Sequence, residues 1–183
     1  MDVKLGLGLA TGMFYHAPAG TALPAYPSET LAGDWKKVGD VTDAGITLAM
    51  SKSVTNLRNW ANVIKRVIMT DHSETIQSPI MDTTKDALEA VVGKSNVTAT
   101  AASTAHGALV NVNLSDGELP PEEAFLWIMK DGDEMIAIGC TKGQVSAGDN
   151  VTFAPNAAIH WTPTITAMGT GFQMILDDGQ KTT

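Results

Sequence analysis

From Trp35 onward the chain is dominated by the two-residue alternation of strands. After the turn Asp43-Ala44-Gly45, Ile46, Leu48 and Met50 alternate with Thr47, Ala49 and Ser51, and Ile76, Ser78 and Ile80 continue a later strand. The cleanest alternations come late. Ala108, Val110, Val112 and Leu114 face away from Asn111 and Asn113, and Ile159, Trp161, Ile165 and Ala167 face away from His160, Thr162, Thr164 and Thr166. Each pattern predicts one buried face and one wetter face. Residues 125–129 differ, because Phe125, Trp127 and Met129 on one side and Leu126 and Ile128 on the other are all apolar. That strand needs cover on both faces. Lys130-Asp131-Gly132-Asp133 supplies its turn, and residues 134–140 return antiparallel.

One segment reads as a helix. In "DTTKDALEAVVG", Thr83 is placed to cap the first turn with Asp86 three residues on, Leu88, Val91 and Val92 form an apolar stripe, and Gly93 closes it. The helix spans 84–92, too short to persist without packing on a sheet. The fold class expected is mainly β: an antiparallel β-sandwich or barrel with one flanking α-helix.

The ends break these rules. Gly6, Gly8, Gly12, Pro18, Gly20, Pro24, Pro27 and Gly33 interrupt both helix and ladder, so residues 1–34 read as an extended N-terminal arm. A partner subunit is what such an arm would lie on. Residues 35–170 form the β domain, and 171–183 a C-terminal arm.

Residues 47–70, "TLAMSKSVTNLRNWANVIKRVIMT", fit two descriptions. Val54, Leu57, Ala61 and Ile64 fall at helical spacing, which suits an internal helix packed on the sheet. The flanking alternation suits a long hairpin whose tip docks on another subunit. The loop 52–66 also holds the densest basic cluster, Lys52, Arg58, Lys65 and Arg66, beside Leu57, Trp60, Val63 and Ile64. Exposed together, these apolar side chains would mark an interaction site.

Charge and chemistry narrow the function. The 183 residues carry 12 Lys+Arg against 20 Asp+Glu, a net −8 that opposes a footprint on nucleic-acid phosphates. The single Cys140 forms no internal disulfide and reads as a small buried hydrophobe. No signal peptide is evident, and eighteen consecutive apolar residues occur nowhere, so no membrane span is expected. The run Gly6-Leu7-Gly8-Leu9-Ala10-Thr11-Gly12 lacks the Gly-Lys-Ser/Thr ending of a phosphate loop. His16, His72, His106 and His160 stand singly, outside metal-site spacing, and Asp116, Glu118, Glu122 and Glu123 lack the order of a calcium loop. Sequons at Asn96, Asn113 and Asn150 read as chance matches without a secretory signal. No nucleophile or acid pair stands in a catalytic frame, so neither an enzyme nor a cofactor is expected.

The succession of these features resembles a known family. The block "GDWKKVGDVTDAGITLAMSKSVTNLRNWANVIKRVIMTDHSETIQSPIMDTTKDALEAVVG" is similar to siphophage major tail proteins, the tail tube subunits. So is "AFLWIMKDGDEMIAIGCTKGQVSAGDNVTFAPNAAIHWTPTITAM", which corresponds to that family's second hairpin and closing strand. The resemblance covers about residues 33–170 and lies in the order of elements, not in a catalytic string. No extra C-terminal immunoglobulin-like domain fits in what remains. It implies hexameric rings stacked into a hollow tube through which the genome passes without sequence-specific binding. The implied partners are further copies of the chain, the tape measure protein in the lumen, and tail terminator and distal tail proteins at the ends. No membrane is involved, and the place is the virion tail, assembled in host cytoplasm. Residues 52–66 then become a stacking loop, with Lys52, Leu57, Arg58, Trp60, Ile64, Lys65 and Arg66 as inter-subunit contacts. An acidic or neutral lumen would let DNA slide. The alternatives are the tube of a contractile tail or type VI-like secretion machine, or a β-sandwich adhesion or carbohydrate-binding module; the last would cluster aromatic residues on a binding face, and these make up only 5% of this chain.

Overall fold

A computed structural model describes residues 6–9, 13–114, 119–148, 151, 153, 155–156 and 158–180. The strands in chain order are β1 (Leu7–Gly8), β2 (Phe14–Pro18), β3 (Lys36–Gly39), β4 (Thr47–Arg58), β5 (Ile64–Gln77), β6 (Val97–Thr100), β7 (Leu109–Val112), β8 (Glu123–Asp131), β9 (Glu134–Gly148), β10 (Pro163–Ala167) and β11 (Gln173–Asp177). One helix, α1 (Lys85–Val92), follows β5. The protein is therefore mainly β, with one large antiparallel sheet and one flanking helix.

The sheet is built outward from the β8–β9 hairpin. Its order is β3-β2-β8-β9-β10-β5-β4, with β1 continuing the β2 edge of β8 and β11 pairing β9. The turn closes between Asp131 and Glu134, and Gly132 takes the positive φ of 61° that this two-residue connection requires. β9 serves two neighbours in succession: β11 along Met135–Gly139 and β10 along Gly143–Gly148. Gly139 sits where β8 presses closest, since a Cβ there would lie 2.6 Å from the Phe125 carbonyl oxygen and 2.8 Å from Leu23.

β8 is covered on both faces, as its sequence requires. Phe125, Trp127 and Met129 point into a larger core with Phe14, Val38, Ile76, Ile80, Ile138 and Ile165, closed by Ala87 and Ala90 of α1. Ala124, Leu126 and Ile128 enter a smaller core with Ala17, Trp35 and Ala137, over which Leu23 and Leu31 are laid. Cys140 is fully buried. The helix is capped one residue later than its sequence suggested: the Thr84 hydroxyl, not that of Thr83, accepts from the Ala87 N–H at 3.3 Å. Its Glu89, almost wholly buried, meets Lys85 at 3.3 Å.

Three expectations give way. Within the expected N-terminal arm, residues 13–18 belong to the subunit's own fold: β2 lies between β3 and β8, and Phe14 and Ala17 are buried in its cores, while residues 1–5 and 10–12 lie outside the described residues. The signal was hidden because only five residues, "FYHAP", form the strand, between breakers on both sides. The C-terminal segment likewise contributes β11 to the main sheet, from Gln173 to Asp177. Finally, alternation at Leu48 and Met50 and at Val110 and Leu114 does not bury those side chains. Among the described residues β7 pairs only β6, in a separate two-stranded sheet, and β4 is exposed along its whole length.

Candidate assembly interface

β4 and β5 form one long hairpin, so the segment is paired strand and not an internal helix. β10 pairs β5 only at Thr75, Ile76 and Gln77, so among the described residues the two strands have only each other beyond Glu74. From Glu74 to Ile64 the projection measures about 33 Å at the usual rise per strand residue. Every residue from 47 to 73 is exposed.

The tip is organised by Asn59. Its side-chain oxygen accepts from the Val63 N–H at 2.9 Å, its backbone N–H donates to the Val63 carbonyl at 3.0 Å, and its carbonyl accepts from the Asn62 N–H at 2.9 Å. Asn62 adopts a left-handed φ of 59°, a conformation that asparagine tolerates better than most residues. Arg58 Nη1 donates to the Asn62 carbonyl at 2.9 Å, tying the basic side chain into the turn. Trp60 lies on this loop with its ring wholly in solvent.

At the root, the Glu74 carboxylate accepts from the Phe172 N–H at 2.7 Å and stands 3.3 Å from His72 Nε2. The hairpin is thus tied to the segment leading into β11. Two register shifts, between Ser53 and Val54 and between Leu57 and Arg58, mark bulges in β5.

The residues singled out in the sequence are brought onto one projection but not into one patch. Lys52 is opposite His72, Leu57 opposite Arg66, and Arg58 opposite Ile64; Lys65 falls in a bulge and Trp60 crowns the tip. Between residues 47 and 73 the four basic side chains face a single acid, Asp71, so the projection carries +3. With −8 for the whole chain, −11 is left for the rest. The sequence pattern does not single out Asn59 and Asn62, which shape the tip, Glu74, which braces the root, or Val67 and Met69, and it places on a buried face Met50, which with these two adds exposed apolar surface. An Asn-x-x-Asn spacing between two alternating runs was the available signal for the turn.

Chemistry elsewhere is sparse. Burial pushes the Cys140 thiol up to about 11, opposed by hydrogen bonds with the backbone of Phe125 and Lys142. His16 Nδ1 meets Glu123 at 2.7 Å between β2 and β8. Among the described residues, no group of three His, Cys, Asp or Glu side chains is placed to share a metal ion, and no helix is long and apolar enough to cross a membrane.

The family model described as Phage tail tube protein matches residues 8–176. The chain belongs to the phage tail tube protein family. No curated protein matches it. A phage tail tube protein is a structural component of the virion tail, not an enzyme, and it self-assembles into a tube with other tail proteins. The match begins at Gly8 and ends at Leu176, so it takes in β2 and most of β11, which lie in the segments expected to be arms. In a self-assembling tube protein, the chemistry that matters is surface complementarity between copies.

Proposed function

We propose that this protein is the major tail tube subunit of a siphophage, forming hexameric rings that stack into a hollow tube and conduct the genome during ejection. The observation that carries the reading is the β4–β5 hairpin with Trp60 free at its tip, an apolar, net basic projection on an otherwise acidic subunit. A monomer gains nothing from such a projection, whereas a heterologous contact that repeats around a ring and along a stack covers it in every copy. In this reading Trp60, Leu57 and Ile64 anchor the neighbouring ring, and Lys52, Arg58, Lys65 and Arg66 meet acidic surface there.

The same assembly accounts for the charge. Duplex DNA carries about one negative charge per 1.7 Å, and a channel poor in exposed cations does not retain it. The tape measure protein occupies the lumen before ejection, and tail terminator and distal tail proteins close the ends. Assembly takes place in the host cytoplasm. Negative-stain microscopy of the purified protein tests the reading: six-fold rings or hollow tubes support it, and monomers at every concentration overturn it.

A further inference from the structure

We infer that along the shaft of the β4–β5 hairpin, below its tip, the two faces have different neighbours in the tube: the face bearing Met50, Val54, Val67 and Met69, continued by Ile64, is covered by a second copy of this chain, while the opposite, hydroxyl-rich face from Ala49 to Thr55 stays in water. This rests on the self-assembly reading above and extends it from the tip to the shaft. The strand register carries the argument. Cross-strand partners share a face, so Leu48 and Ile76, Met50 and Glu74, Lys52 and His72, Val54 and Met69, Asn56 and Val67, and Arg58 and Ile64 lie on one side. Ala49 and Thr75, Ser51 and Ser73, Ser53 and Asp71, Thr55 and Ile68, and Leu57 and Arg66 lie on the other.

The bulges make this division. In β5 the apolar residues change parity, from Ile76 to Met69 and Val67 and then to Ile64, and a plain ladder would scatter them over both faces. One extra residue near Thr70 and another at Lys65 return them to the same side. Six large apolar side chains are consequently exposed on that face: Leu48, Met50, Val54, Ile64, Val67 and Met69, at 39–66% of their full area. The other face exposes two, Leu57 and Ile68, among Ser and Thr. An apolar stripe, broken by the Lys52–His72 pair, on a shaft that among the described residues no third strand joins, marks an interaction site. Charge identifies the occupant: Lys52 and Arg58 lie on this face, and the +3 of the projection as a whole complements the −11 of the remaining chain, which a second copy brings with it.

Cysteine labelling separates the faces. Val54→Cys and Met69→Cys report the apolar face, Ser51→Cys and Ser53→Cys the hydroxyl face, and buried Cys140 stays silent to maleimide in every folded variant. Labelling is compared between dilute subunits and assembled tubes seen by microscopy. The expected result is slowing by about tenfold or more at Val54 and Met69, equal to at least about 1.4 kcal/mol of protection, with little change at Ser51 and Ser53. Tubes whose two faces are slowed equally, or not at all, overturn the face assignment while leaving self-assembly intact. Absence of any assembly, with all four positions labelling freely, overturns both. Reaction at Cys140 identifies a variant that has not folded, and the second variant on the same face then decides.

Discussion

The indole of Trp127 lies flat against the ring of Phe14, with centroids 4.7 Å apart and planes 2° from parallel. The two residues are also cross-strand partners in the β2–β8 ladder. A residue near the N-terminus thereby forms one wall of the larger core, and the segment 13–18 is part of the subunit's own fold.

Phe14→Ala is expected to destabilise the isolated subunit by about 3–5 kcal/mol, the usual loss for a buried Phe. Deleting residues 2–30 removes β2 altogether, exposing Trp127 and an edge of β8. Urea unfolding followed by tryptophan fluorescence checks both. A deletion that still unfolds cooperatively at the parent's midpoint would contradict the placement of β2.

Trp127 also donates its ring N–H to Ser78 Oγ at 3.0 Å, both groups being completely buried. Ser78→Ala leaves that donor without its acceptor and should cost about 1–3 kcal/mol, whereas adding Trp127→Phe on the Ser78→Ala background removes the orphan itself. The expected signature is a double change less destabilising than the sum of the two single changes. Additive losses would show that the hydrogen bond contributes nothing.

Cys140 gives a pH dependence of defined sign. Its thiol pKa is raised from 9.0 to about 11 because burial disfavours the thiolate. The folded state holds the proton more tightly, so the stability contribution is complete below pH 9 and is lost as pH rises toward 11. Cys140→Ala should flatten the fall in melting temperature across that window. An alkaline profile identical to the parent's would mean that the thiol does not titrate with folding.

How much of this was legible in sequence depends on where each pattern finds its partner. Residues 125–129 announced a strand covered on both faces because every side chain is apolar, and the Asp-Gly pair announced its turn. The helix was legible from its stripe. Phe14 was not, because a five-residue strand that itself ends on Pro18, with Gly12 and Gly20 close on either side, carries too short a period, and its burial is decided by Trp127, more than a hundred positions away. For the opposite reason Met50 and Val110 misled: alternation shows that a face is apolar, not which molecule covers it. The basic and apolar residues of 52–66 were found by composition alone, but their division between two faces depends on bulges that no pattern specified.

The root of the hairpin supplies a further test. Glu74 joins it to Phe172 and His72. Glu74→Ala should speed amide exchange at Phe172 and along β5 outside Thr75–Gln77, while core amides such as Trp127 keep their protection. Unchanged exchange at Phe172 would remove Glu74 as the brace.

Trp60 decides whether the tip is an assembly contact. Its ring touches no core, so Trp60→Ala should leave the circular dichroism and melting temperature of the isolated subunit unchanged. At the centre of an interface, a Trp truncation costs on the order of 2 kcal/mol or more, and a stacked tube loses it in every subunit. Folded protein that makes short tubes or none is the expected outcome. Arg58 is a poor probe of charge because its guanidinium already holds the Asn62 carbonyl, so reversal there would also loosen the turn. Lys65→Glu and Arg66→Glu act on exposed side chains instead, and should weaken stacking most at low salt, where facing charges are least screened. Full-length tubes from Trp60→Ala, together with charge reversals that are silent at every ionic strength, would sink the stacking role of the tip.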